Sequence, residues 1–78
     1  MTEKELLRAF LVNGELNVVQ SEHMKSVLLQ ACGMDLKNAK DRSVWSNWIN
    51  AKCSPNRFCK HLINEALQEE GYSPIYTE

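Results

Sequence analysis

Glycine and proline are scarce, three and two in 78 residues, and no apolar run approaches the roughly 18 residues that a membrane-spanning helix requires. The opening stretch, MTEKELLRAF, carries charge from its third residue, which fits neither a secretory leader nor an anchor, and no membrane partner is expected. With 44% hydrophobic residues and so little Pro and Gly, intrinsic disorder is excluded as well. Cysteine is sparse and odd in number. Cys32, Cys53 and Cys59 lack the even count of a disulfide framework, so a reducing compartment and a cytoplasmic location are expected. Nor do they make a zinc set with His23 or His61, because structural zinc usually takes a Cys pair about two to four residues apart, and residues 59 and 61 of one helix point about 200° apart. Acid–base chemistry has little to draw on: two Asp, two His, no Gly-rich phosphate loop, no His-Glu-x-x-His motif and no nucleophile elbow. The chain therefore reads as no enzyme, with no catalytic residue, no metal and no cofactor.

What is present is helical periodicity. Thr2 and Glu5 are spaced as a capping box and start a first helix at about 3–13, with Leu6, Leu7, Phe10 and Leu11 as its stripe and Asn13-Gly14 supplying a left-handed residue at its end. Residues 15–20 read as an extended connector. Ser21 caps a second helix, about 22–32, whose apolar face is Met24, Val27, Leu28, Ala31 and Cys32 and which Gly33 stops. Residues 34–40 admit either a loop or an extra helical turn. From Asp41 or Ser43 a third helix, about 41–51, repeats the stripe in Val44, Trp45, Trp48 and Ile49; the two indoles, three residues apart beside aliphatic neighbours, read as core rather than as a base-stacking platform. Ser54-Pro55 opens a fourth, about 55–70, lined by Phe58, Leu62, Ile63, Ala66 and Leu67 up to Gly71, and residues 71–78 form an extended tail. The fold class is all-α, a single domain over 1–78 built as a compact bundle of four or five short helices. The initial Met and this closed set of helices are those expected of a whole protein. A core of this size buries only roughly 60% of the surface its unfolded chain exposes, so stability leans on good helix ends, a ligand or a second copy.

The net charge of -1 conceals an uneven distribution. Residues 1–36 sum to -2 and residues 61–78 to -4, whereas residues 37–60 carry Lys37, Lys40, Arg42, Lys52, Arg57 and Lys60 against Asp41 alone, a net +5. A basic segment inside a near-neutral chain is the pattern expected when one face meets phosphate and the others must stay soluble, although a solvated surface can carry the same charges. Opposite the apolar stripe of the third helix stand Arg42, Ser43, Ser46, Asn47 and Asn50. Ser and Asn each cost about half a kcal/mol of helix propensity, where a merely solvated face usually carries Glu, Lys and Gln. Short polar side chains suit hydrogen bonding to base edges and phosphates, with Asn able to pair bidentately with adenine. The plainer alternative is that Ser43 caps the helix while Ser46 and Asn47 are neutral surface.

The run Ser43-Val44-Trp45-Ser46-Asn47-Trp48-Ile49, followed by a break and Ser54-Pro55, resembles the recognition-helix region of small phage-type helix-turn-helix repressors. In that family a phrase of the kind Ser-x-x-Ser-x-Trp ends the recognition helix, and a proline opens the next helix after a short loop. The resemblance covers the helix order of residues 22–67. It implies a helix-turn-helix-like, DNA-binding transcription regulator in which Arg42, Ser43, Ser46 and Asn47 face the major groove, Val44 and Trp48 pack the helix onto the bundle, and Lys37, Lys40, Lys52 and Arg57 hold phosphates. Asn50 extends the groove-facing side. The connection from Gly33 to Asp41 is longer than the family's three or four residues, so either residues 35–40 add a helical turn or the second and third helices are not such a pair. Duplex DNA is thus the expected partner, and a homodimer through Leu6, Phe10, Leu11 and Val12 would double the phosphate contacts. The alternative is a small protein-binding module, a phage-type inhibitor or adaptor of a host protein, that sets the basic 37–60 surface against an acidic partner.

Overall fold

Asparagine side chains start three of the four helices. The computed structural model describes residues 2–77. A 3-10 turn, Glu3–Glu5, leads into α1 (Leu6–Leu11), followed by α2 (Val18–Ala31), α3 (Ala39–Ile49) and α4 (Arg57–Glu69), and no strand occurs among the described residues. At the head of α2 the Asn17 side chain accepts from the Gln20 amide at 2.8 Å while the Gln20 side chain accepts from the Asn17 amide at 3.1 Å, a reciprocal capping box. Asn38 Oδ1 accepts from the Lys40 and Asp41 amides at 2.9 and 3.3 Å, and Asn56 Oδ1 from the Cys59 amide at 2.8 Å.

These caps move the predicted boundaries. Residues 18–20 belong to α2 rather than to an extended connector, α3 starts before Asp41, and α4 starts after Ser54-Pro55. Ser21, freed from capping, donates its hydroxyl to the Leu11 carbonyl at 2.7 Å and ties α2 to the end of α1. Thr2 bonds the Glu5 carboxylate at 3.1 Å instead of a backbone amide, and the first turn tightens to 3-10 geometry.

Gly33 and Gly71, at φ +67° and +87°, end α2 and α4, and the amides that follow them reach back to the Leu29 and Leu67 carbonyls at 2.9 and 2.8 Å. Gly14 works differently, since it is not left-handed. A Cβ there would stand 2.6 Å from the Phe10 carbonyl oxygen and 2.7 Å from that of Ala9, so glycine is what lets the chain fold back against the last turn of α1.

The core lies where α2 packs on α4 and α1, and where α3 packs on α1 and the 3-10 turn. Leu7, Met24, Leu28, Ile63 and Leu67 are fully buried. Trp45 and Trp48 are also core, 6% and 5% exposed, with ring centroids 6.3 Å apart. Phe58 departs from its predicted stripe at 70% exposed, because a position five residues before Ile63 lies roughly 140° round the helix from it. The helices α2 and α3 do not cross: no Cα of α3 comes within 8 Å of one in α2, and their connection holds a turn at Leu36–Lys37 rather than further helix.

After α4 the chain crosses back as an irregular strap that Asn64 holds. Asn64 is 2% exposed; its Nδ2 donates to the Tyr76 carbonyl at 2.8 Å, and its Oδ1 accepts from the Ile75 and Tyr76 amides at 3.1 Å each. Tyr76 is thereby buried against the core. Lys60 pairs with Glu3 and lies 6.0 Å from the Tyr76 ring centroid, and His23 bonds Glu70 at 3.0 Å, which joins α2 to the end of α4.

Candidate functional site

The helix α3 turns one polar side outward because its apolar side, Trp45 and Trp48, is taken up by α1. Residues recurring at three- and four-residue steps share a side, so Ala39, Arg42, Ser43, Ser46 and the terminal Asn50 form one exposed face. Asn47 does not belong to it. It is half-buried at the edge, and its carbonyl accepts from the amides of Lys52 and Cys53 at 2.9 and 3.3 Å.

At the far end of the face Asn50 donates to Ser46 Oγ at 3.1 Å and accepts from Arg8 at 3.4 Å, while the same Arg8 nitrogen donates to the Ile49 carbonyl at 3.3 Å. A guanidinium at a helix C-terminus complements the partial negative charge of the last carbonyls. Arg8 thus belongs to this surface although it comes from the acidic third of the chain. No local sequence signal points to a residue 41 positions away. Arg42 in turn donates to the Leu36 carbonyl at 3.1 Å, which fastens the loop before α3 to the helix.

The electrostatics of the face rest on cations without partners. Among the described residues, Lys37, Lys40, Arg42, Lys52 and Arg57 are exposed and none has a carboxylate within 4.0 Å, whereas Lys60 is held by Glu3. The two nearby acids are occupied by backbone: Asp35 accepts from the Lys37 amide at 2.9 Å and Asp41 from the Asp35 amide at 3.1 Å. Lys37 and Lys40 stand at the N-terminal end of α3 and Lys52 beyond its C-terminal end, so the cations bracket a helix roughly 16 Å long. Arg57 opens α4. Ala51 takes φ +60° to turn the chain there, a left-handed conformation that costs a side chain about 1–2 kcal/mol and returns the Lys52 amide to the Asn47 carbonyl.

The remaining chemistry is quiet. Burial pushes the Cys32 thiol up to about 12, with Cys59 beside it adding to the effect, so Cys32 is no thiolate nucleophile. Burial also raises Tyr76, with Cys32 contributing. Both groups keep their protons in the fold at pH values where the unfolded chain, starting from 9.0 and 10.0, has released them. Stability is therefore full below pH 9.0 and falls as pH rises toward the folded-state values. Melting temperature measured by circular dichroism from pH 8 to 11 should drop along this course, and less steeply in Tyr76→Phe; the same slope in the variant would remove Tyr76 from the account. Among the described residues no three His, Cys, Asp or Glu side chains gather as a metal site, and no helix is long and apolar enough to cross a membrane.

Comparison with family models, curated proteins and solved structures gives no match for the chain.

Proposed function

We propose that the chain is a small DNA-binding regulator that lays α3 in the major groove of a duplex. The observation that carries this reading is the set of five exposed cations without carboxylate partners, Lys37, Lys40, Arg42, Lys52 and Arg57, disposed around a helix face of short polar side chains. Phosphate contacts by the lysines and Arg57 set the register, and Arg42, Ser43, Ser46 and Asn50 meet base edges. The role follows from occupancy, as in phage-type repressors: bound protein blocks or recruits the transcription machinery. Asn47, half-buried, contributes less to base reading than its place in the sequence suggests.

Fluorescence anisotropy against random-sequence duplex DNA at several salt concentrations tests this. Five neutralised phosphates predict a log-log slope of about -4.5, with micromolar binding at low salt. No binding at low salt would overturn the reading and leave the protein-binding one. That second reading, an inhibitor or adaptor of a host protein, is favoured by Val12, Val18, Val19 and Phe58, which are 54%, 79%, 78% and 70% exposed.

A further inference from the structure

Alongside α2 runs a depression that the α3 face does not use. One stretch of about 310 Å³ lies between the end of α1 and the start of α2, with Val12 and Val18 on its walls. It shares Leu11, Val12, Ser21 and Glu22 with a second of about 360 Å³, which reaches Trp45 and Leu36. Leu36 also lines a third, open stretch of about 540 Å³ that ends at Leu29 and Met34. The three make one channel that follows the 14 residues of α2, roughly 21 Å, the length of a four-turn helix. Its floor is apolar throughout, and Val12 and Val18 are left 54% and 79% exposed.

The rim decides what fits. Lys25, Arg42 and Lys37 stand along it in turn, and among the described residues none has a carboxylate within 4.0 Å. The rim acids are Glu22 and Asp35, and one Asp35 oxygen already accepts from the Lys37 amide at 2.9 Å. We propose that this channel docks an acidic amphipathic helix of a partner protein. Apolar side chains at i, i+3 or i+4, and i+7 of that helix fill the floor, acidic side chains flank them opposite Lys25, Arg42 and Lys37, and a basic or neutral one faces Glu22. A valine-walled floor offers nothing to a phosphate backbone, which sets this surface apart from the outward face of α3. The inference goes beyond the DNA reading and does not require it, but Arg42 and Ser46 border both surfaces. The test therefore measures peptide binding directly.

Two synthetic helical 14-residue peptides with identical leucine positions, one with glutamate and one with lysine at the flanking positions, are titrated into the full-length chain labelled with nitrogen-15. Expected are amide shifts confined to the channel, with the glutamate peptide bound at least about tenfold tighter than the lysine peptide, and that preference reversed in Lys25→Glu/Arg42→Glu. Val18→Ser, at a position 79% exposed, weakens the glutamate peptide without touching the core and serves if the charge reversal unfolds the chain. Equal binding of the two peptides, shifts outside the channel, no shift at about 1 mM peptide, or a duplex oligonucleotide moving the Val12 and Val18 amides as strongly would each overturn the proposal.

Discussion

Asn64→Ala is expected to lower stability by about 2–4 kcal/mol in urea unfolding, with the melting temperature falling by roughly 10–25 °C. The side chain is 2% exposed and makes three hydrogen bonds to the strap, and its removal leaves the Tyr76 carbonyl and two amides without partners unless the strap lifts. Lifting exposes Tyr76 and opens the apolar pocket of about 370 Å³ that Tyr72 and Ile75 help to line. Since a chain of this length holds only about 4–12 kcal/mol in all, the loss is a large share of it. Asn64→Asp separates the bonds from the shape. It keeps the acceptor, loses the donor to Tyr76 and buries a charge, so it should be at least as damaging at neutral pH and recover toward acid pH, where a protonated carboxyl can donate again. Amide exchange reports the same event locally: Ile75 and Tyr76 lose protection ahead of the core. A loss below about 1 kcal/mol in both variants would mean that the strap is held by its apolar contacts alone.

That clamp illustrates what a sequence reading leaves hidden. Leu28, Trp45 and Trp48 are legible as core because burial follows the 3.6-residue period, and the same period separates Arg42, Ser43 and Ser46 from them. Asn64 carries no such mark, since its partners are backbone groups 11 and 12 residues onward. Helix starts fail for another reason. Thr2, Ser21, Asp41 and Ser54 are all competent caps in isolation, and Asn17 and Asn38 prevail through a reciprocal glutamine or two accepted amides, which only the folded backbone reveals.

The site divides along the same line. Its charge is legible in composition and its polar face in the complement of the apolar stripe. Asn47 sits at the boundary between face and core, where a hundred degrees per residue does not decide exposure. Arg8 and Lys25 escape notice because α1 and α2 bring them from the acidic third of the chain to either side of α3. The expectation of a helix-turn-helix pair rested on order along the chain, and order does not fix crossing: α3 docks on α1, leaving the channel beside α2 open.

Neutralising Lys40, Arg42 and Lys52 together to glutamine should weaken duplex binding by roughly 100-fold or more at moderate salt and make the log-log slope shallower by roughly 2.5–3, about 0.9 for each lost phosphate contact. The fold should barely register the change. None of the three has a carboxylate within 4.0 Å among the described residues, and all three are exposed, so the melting temperature is expected to stay within a few degrees. Arg42 gives up one bond to the Leu36 carbonyl, which faces solvent and can be met by water. Lys60→Gln is the informative counterpart, because its charge is already engaged by Glu3 and its stem lies against the Tyr76 ring. It should cost some stability and little DNA affinity. The opposite assignment, in which the triple variant melts early and Lys60→Gln loses the duplex, would place the unpaired cations in the fold's support and the paired one at the ligand, which the geometry of α3 and the strap does not allow.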